Sequence, residues 1–180
     1  MPIRPATPAD IPAIAAIYDE AVRTGTASFE VTPPGAAEMA RRHAAITEGG
    51  YPYLVMEEDG AVLGYAYASA FRPRIAYRHT VENSIYVAPA AQGRGVGRAL
   101  LEALLVQCEA AGFRQMVAVI GDSANAGSIG LHRACGFQPA GLLEATGLKF
   151  GRWIDTVLMQ RPLGRGADGV PEEADLSFSG

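Results

Sequence analysis

Gln92-Gly93-Arg94-Gly95-Val96-Gly97-Arg98-Ala99-Leu100-Leu101 is the stretch on which the reading of this chain turns. Three glycines at alternate positions give a core no side chains and cost backbone entropy, so they belong where a ligand comes close to the main chain. A chain entering a helix through such a loop presents N–H groups without intrahelical partners, and the helix dipole behind them favours an anion. The stretch therefore predicts a site for the phosphates of a bound cofactor. The alternative is a plain Gly-rich turn ahead of a helix. A P-loop would end in Gly-Lys-Ser/Thr, where this chain has Gly97-Arg98-Ala99. A dinucleotide fingerprint would need glycine in place of Arg98 and would follow the first strand of its unit, whereas this loop lies mid-chain.

Working outward, Ser84-Ile85-Tyr86-Val87-Ala88 reads as a strand feeding the loop. Leu100, Leu101, Leu104, Leu105 and Cys108 repeat at helical spacing and predict a helix over 95–111, closed by Gly112. On the C-terminal side, 115–120 reads as a buried strand, 123–136 as a helix, and 137–144 and 153–160 as two closing strands. On the N-terminal side, 2–6 reads as a short strand. A helix begins at Thr7-Pro8-Ala9-Asp10 and ends at Gly25. A loop with Ser28-Phe29-Glu30 follows, and Pro33-Pro34 opens a second helix to about 47. The runs 53–57 and 62–70 predict a hairpin across Glu58-Asp59-Gly60. An Arg-rich connection, 72–78, leads to a strand at 80–87. The order is mixed α/β in one domain over 1–163. The Gly-rich, acidic stretch 164–180 is expected to be a mobile tail.

The chain has 180 residues, 49% of them hydrophobic, enough for a sizeable core. Its net charge of −4 argues against a general nucleic-acid binder. No apolar run approaches the length of a membrane span, and Met1-Pro2-Ile3-Arg4-Pro5 does not start a secretory leader. Cys108 and Cys135 have no ligand or redox spacing and fall in apolar helical surroundings, so free buried thiols in the cytoplasm are expected. The three histidines, His43, His79 and His132, show no metal-ligand spacing.

The Gln92–Gly97 pattern resembles the acyl-CoA pyrophosphate loop of the GNAT N-acetyltransferases. Four further segments resemble the phosphinothricin/methionine sulfoximine N-acetyltransferases within that superfamily. They are Arg78-His-Thr-Val-Glu-Asn-Ser-Ile-Tyr-Val87, Val117-Ala-Val-Ile-Gly121, Leu131-His-Arg-Ala-Cys-Gly-Phe137 and Lys149-Phe-Gly-Arg-Trp-Ile-Asp155. The resemblance implies a mostly antiparallel sheet flanked by helices. In it, two parallel strands, here 80–88 and 115–120, splay apart to admit the pantetheine arm of acetyl-CoA. It also implies acetylation of the α-amino group of a small amino-acid analogue, with no metal, in a homodimer.

Acetyl transfer to an amine needs a base, because an amino group is largely protonated near neutral pH. The resemblance gives that role to Glu82. From the residues alone, Glu82 in an apolar strand is either a buried carboxylate with a raised pKa or an outward or salt-bridged one. Ile85, Tyr86 and Val87 would offer backbone groups along the splayed edge, with the Val87 N–H as an oxyanion-type donor. Gln92, Gly93, Arg94, Gly95, Val96 and Gly97 would hold the pyrophosphate. Asn125 and Ser128 would touch the cofactor or simply cap a helix. His132, where many superfamily members carry tyrosine, is either the acid that protonates the departing thiolate or a structural histidine. Arg72, Arg74 and Tyr77 match substrate contacts, and arginine forks suit carboxylate and phosphinate oxygens. Otherwise they belong to a solvated basic loop. Phe29 would wall a small substrate or anchor its own loop. Two other readings stand: an acetyltransferase for protein N-termini or polyamines, and a non-catalytic CoA-binding module.

Overall fold

Alternation of side chains across strands builds this molecule from two apolar layers on either face of one sheet. The structure, a computed structural model, describes residues 1–171. In chain order the elements are β1 (Ile3–Pro5), α1 (Ile11–Thr24), α2 (Gly35–Glu48), β2 (Tyr53–Glu58) and β3 (Ala61–Ala70), then β4 (Thr80–Val87), α3 (Val96–Ala110), β5 (Gln115–Gly121), α4 (Ala126–Ala134), β6 (Gln138–Lys149) and β7 (Arg152–Pro162). The seven strands form one sheet in the order β1-β2-β3-β4-β5-β7-β6. Every neighbouring pair is antiparallel except β4 with β5.

β2 shows how the sheet divides the core. Leu54 and Met56 face α3 and join Leu100, Leu101 and Leu104, all fully or almost fully buried. Tyr53 and Val55 face the other way and join Ile11, Ile14, Tyr18 and Val22 of α1 and Met39 of α2. The hairpin between β2 and β3 turns through Asp59 and Gly60, both at positive φ (50° and 80°), a conformation that suits the twist of paired strands. Ahead of α1, the Thr7 carbonyl accepts from the Asp10 N–H at 3.0 Å. The Asp10 carboxylate accepts in return from the Thr7 N–H and hydroxyl at 2.8 and 2.9 Å and from both terminal nitrogens of Arg4 at 2.8 Å.

Two boundaries differ most from the sequence reading. α4 begins at Ala126 rather than 123, because Asp122 sits at φ 75° and Asn125 supplies the cap. β6 runs to Lys149 rather than 144, with an irregular register between Leu143 and Gly147 that hides its alternation. Part of the stretch expected to be a mobile tail, 164–171, makes contacts with the domain. Leu163 is buried with its N–H on the Arg114 carbonyl at 3.0 Å. The Arg114 side chain donates to the carbonyls of Gly166 and Asp168 at 2.8 and 2.7 Å. The rest of that stretch, 172–180, lies outside the described residues. No helix among the described residues is long and apolar enough to cross a membrane.

Candidate active site

The site begins where the sheet comes apart. β4 and β5 pair in parallel from Thr80↔Gln115 to Asn83↔Ala118 and then diverge, while β4 stays paired to β3 as far as Val87. Ala88 donates its N–H to the Leu63 carbonyl at 2.9 Å. Backbone directions alternate along a strand, so Tyr86 spends its N–H and C=O on β3, while Ile85 and Val87 turn theirs into the opening. Of the three backbones expected at this edge, Tyr86 is thus engaged elsewhere. It lines the opening, and its ring stacks on Tyr65 at 5.4 Å.

A cavity of about 610 Å³ fills the gap between the strands and continues to the Gly-rich loop. Gln92, Gly93, Gly95, Val96 and Gly97 line it. Gly93 and Gly95 hold φ of 73° and 81°, the left-handed region that glycine enters freely. The first bond of α3 runs from the Ala99 N–H to the Gly95 carbonyl at 3.0 Å, so the amides ahead of it have no acceptor within the helix. Unpaired amides at the head of a 15-residue helix, joined to a long cleft, suit a phosphate-bearing ligand with an extended arm.

Arg94 does not face this cavity. Its Nη2 donates to Glu58 Oε2 at 2.6 Å and ties the loop to the β2–β3 turn, where a carboxylate is close at hand. Arg98 lines the cavity but pairs with Glu102 one turn along α3, at 2.8 Å. Asn125 does cap α4: its Oδ1 accepts from the Ser128 N–H at 3.1 Å. Asn125 and Ser128 both also line the cavity. His132 is 4% exposed and reaches the cavity from α4. Its Nδ1 lies 2.8 Å from the Ser128 carbonyl and its Nε2 lies 2.9 Å from Asn83 Oδ1. Burial lowers the His132 pKa, and the Ser128 carbonyl opposes that shift.

A second cavity, of about 380 Å³, adjoins the first, and the two share Ala27, Ser84, Tyr86, Val119 and Gly121. Glu82 opens onto it, on the same face of β4 as Ser84 and Tyr86. Tyr18, Ser28, Phe29 and Glu30 complete much of its wall. Burial pushes the Glu82 carboxyl up from the ordinary range, and the charge of Arg72 pulls it partly back. Arg72, Arg74 and Tyr77 do not line this cavity. A short turn at Ile75–Tyr77 lies in their connection, and all three are exposed. There Arg72 lies over the Phe71 ring at 4.6 Å, and Tyr77 meets the same ring edge-on at 5.8 Å.

Several lining residues carried no sequence signal of their own. Tyr18 reads as a core position of α1, yet its hydroxyl meets Ser28 Oγ at 2.8 Å beside the second cavity. Glu30 is held by Arg42 at 2.6 Å across twelve residues. Asn83 was the most visible of them, a buried amide within an apolar strand.

The sequence profile of the Acetyltransferase (GNAT) family matches residues 14–137. The chain is 59% identical over 163 residues to a phosphinothricin N-acetyltransferase of Alcaligenes faecalis, covering 91% of this chain and 83% of that one. It is 45% identical to an L-methionine sulfoximine/L-methionine sulfone acetyltransferase of Pseudomonas paraeruginosa, over 88% of this chain and 92% of that one. A crystal structure of a GNAT superfamily phosphinothricin acetyltransferase (Pat) from Sinorhizobium meliloti, in complex with AcCoA, superposes with a TM-score of 0.93 at 56% identity, covering 96% of this chain and 93% of that one. With the divergent strands, the loop of free amides and these relatives together, the chain belongs to the GNAT acetyltransferase family.

Proposed function

We propose that this protein is an N-acetyltransferase. In this reading it carries the acetyl group of acetyl-CoA to the α-amino group of a small amino-acid analogue: phosphinothricin, methionine sulfoximine or methionine sulfone. The observation that carries the reading is the pair of adjoining cavities that share one wall, with a half-buried carboxylate of raised pKa, Glu82, on the smaller one. Such a layout suits direct attack within a ternary complex, because it sets two reactants side by side and saves the entropy of bringing them together.

Gln92 and the amides of 93–97 hold the pyrophosphate in this reading, with Ile85 and Val87 along the arm. Acetyl-CoA, when bound, supplies an activated acetyl thioester. Glu82 takes a proton from the acceptor ammonium, a task that its raised pKa suits better than an ordinary carboxylate would. In this reading the inward Val87 N–H donates to the thioester carbonyl oxygen. In this reading His132, held at Nδ1 by the Ser128 carbonyl, gives the departing thiolate the Nε2 proton that it otherwise shares with Asn83 Oδ1. Phe29, with Arg72, Arg74 and Tyr77 from the exposed connection before β4, receives the amino-acid part in this reading, where cationic forks favour an anionic acceptor over a polyamine.

We further read the protein as a cytoplasmic homodimer. Buried, unpaired Cys108 and Cys135 support the compartment. Exposed Leu142, Leu143 and Trp153 on β6 and β7 support a covered face.

Thiol release from acetyl-CoA, followed across the three analogues, ordinary amino acids, a peptide and a polyamine, tests the substrate class. Fast turnover of an oxidised analogue is expected. Turnover of peptides or polyamines alone would overturn the substrate, and tight CoA binding without any turnover would favour a binding module.

A further inference from the structure

Lysine is rarely buried unless its ammonium is fully partnered. Lys149, the last residue of β6, is 4% exposed. Its Nζ donates to the carbonyl oxygens of Gly25 and Ser28, each at 2.8 Å, and lies 5.1 Å from the centre of the Phe150 ring. Both carbonyls belong to the segment 25–30 that follows α1. The same segment is tied a second time. Thr26 Oγ1 donates to Asp122 Oδ2 at 3.0 Å, and Arg152 Nη2 holds that oxygen at 2.5 Å. So the β6–β7 hairpin and the end of β5 grip the segment at positions 25, 26 and 28.

The grip has a shaped seat. A Cβ on Gly147 would lie 2.5 Å from the Phe29 ring, and one on Gly121 would lie 2.8 Å from it and 2.2 Å from the Thr26 carbonyl oxygen. Phe29 thus occupies room that two glycines leave open. Asp122, Ala145 and Phe150, within three residues of these glycines along the chain, hold φ of 75°, 53° and 53°, a region that residues with a side chain rarely adopt. The outer side of the segment, Ala27 to Glu30, is the wall of the cavity that holds Glu82.

We propose that Lys149 is a positioning residue for the acceptor pocket: its ammonium, seated on the carbonyls of Gly25 and Ser28, fixes the loop that sets Phe29 against Gly147 and thereby governs how tightly the amine acceptor is held. This rests on reading the Glu82 cavity as the acceptor pocket. Phe29 touches the acceptor in that reading, and Lys149 acts through it. The burial that lowers the Lys149 pKa is opposed by Glu30, which lies on the loop being held.

Two readouts separate the clamp from the pocket. The first needs no substrate: amide hydrogen exchange of the full chain, native against Lys149→Met, which keeps length and loses the donors. Exchange across 25–30 is expected to quicken about tenfold or more, with the sheet unchanged. Unchanged exchange in that segment would overturn the clamp. The second is steady-state kinetics with the best acceptor of the panel above. Lys149→Met is expected to raise the acceptor KM about tenfold while kcat moves less than about threefold, and Lys149→Arg to recover most of the loss. In a Phe29→Ala background the same Lys149→Met change should shift the acceptor KM by less than about twofold, because the two residues act as one unit. Fully multiplicative effects, or a fall in kcat alone that tracks a lowered Tm, would overturn it. Should Lys149→Met fail to fold, Gly147→Ala carries the test. It unseats the Phe29 ring and must raise the acceptor KM with the ammonium intact. Quickened exchange alongside an unmoved acceptor KM would retain the clamp and refute the pocket assignment.

Discussion

Gly64 offers a sharp test of how the cofactor loop is held. It lies on β3 opposite Val87 and directly beneath the start of α3. A Cβ there would sit 2.8 Å from the Tyr86 carbonyl oxygen, 3.1 Å from Val96 Cγ1 and 3.3 Å from Leu100 Cδ1. The first of these is backbone within a paired ladder and cannot rotate away, so helix and strand must separate by roughly half an ångström to restore normal contact. Overpacking of this kind costs about 1–3 kcal/mol. Gly64→Ala recovers about 0.4–1 kcal/mol by restricting the unfolded chain. The net loss of about 1–2 kcal/mol corresponds to a fall in Tm of about 2–8 °C for a chain of this size. The displaced element carries Val96 and Gly97 on the wall of the larger cavity, so binding there should suffer first. Differential scanning calorimetry and titration with CoA measure both effects. A roughly tenfold weaker Kd for CoA, with the acceptor KM little changed, is expected. An unchanged Tm, or a weakened acceptor with CoA untouched, would refute the packing argument.

Removing Arg72 takes away a charge that opposes the raised pKa of Glu82. A base works only when deprotonated, so Arg72→Ala should move the acid limb of the kcat/KM profile to higher pH, and a limb that moves down would contradict the assignment. Asp10 is 7% exposed, and its bonds to Arg4 hold its carboxyl well below the usual range. A depressed folded pKa contributes stability above the unfolded value near 4 and loses it as pH falls through the folded value. Asp10→Asn should therefore cost about 1–3 kcal/mol in urea unfolding at pH 7, and the gap to the native protein should close toward pH 2.

The cofactor half of the site was legible because its signals are local. Alternate glycines before a regular apolar stripe specify a loop and a helix whatever surrounds them, and Gly93, Gly95 and α3 stand where that pattern put them. The acceptor half was legible only in part. Glu82 stood out as a charge in an apolar strand, but the wall around it is built from long-range contacts. Lys149 reaches Gly25 and Ser28 across 124 and 121 residues, and no spacing along the chain announces such a bond. The side chain of Arg94 is a similar case: its partner, Glu58, is 36 residues away and close only once the β2–β3 turn has formed. The last residues of β6 escaped because the bulge after Leu143 breaks the two-residue alternation.

The central claim is that Glu82, half-buried on the smaller of two adjoining cavities, draws the proton from the acceptor amine. Single-turnover acetyl transfer by native protein and by Glu82→Gln, followed from pH 5 to 9 with both substrates saturating, tests it most directly. The account predicts a rate about 10²–10⁴-fold lower in the variant, CoA affinity unchanged, and loss of the acid limb that the native enzyme shows above the ordinary carboxylate range. A variant that transfers acetyl at the native rate, or one that keeps the same acid limb, would contradict it.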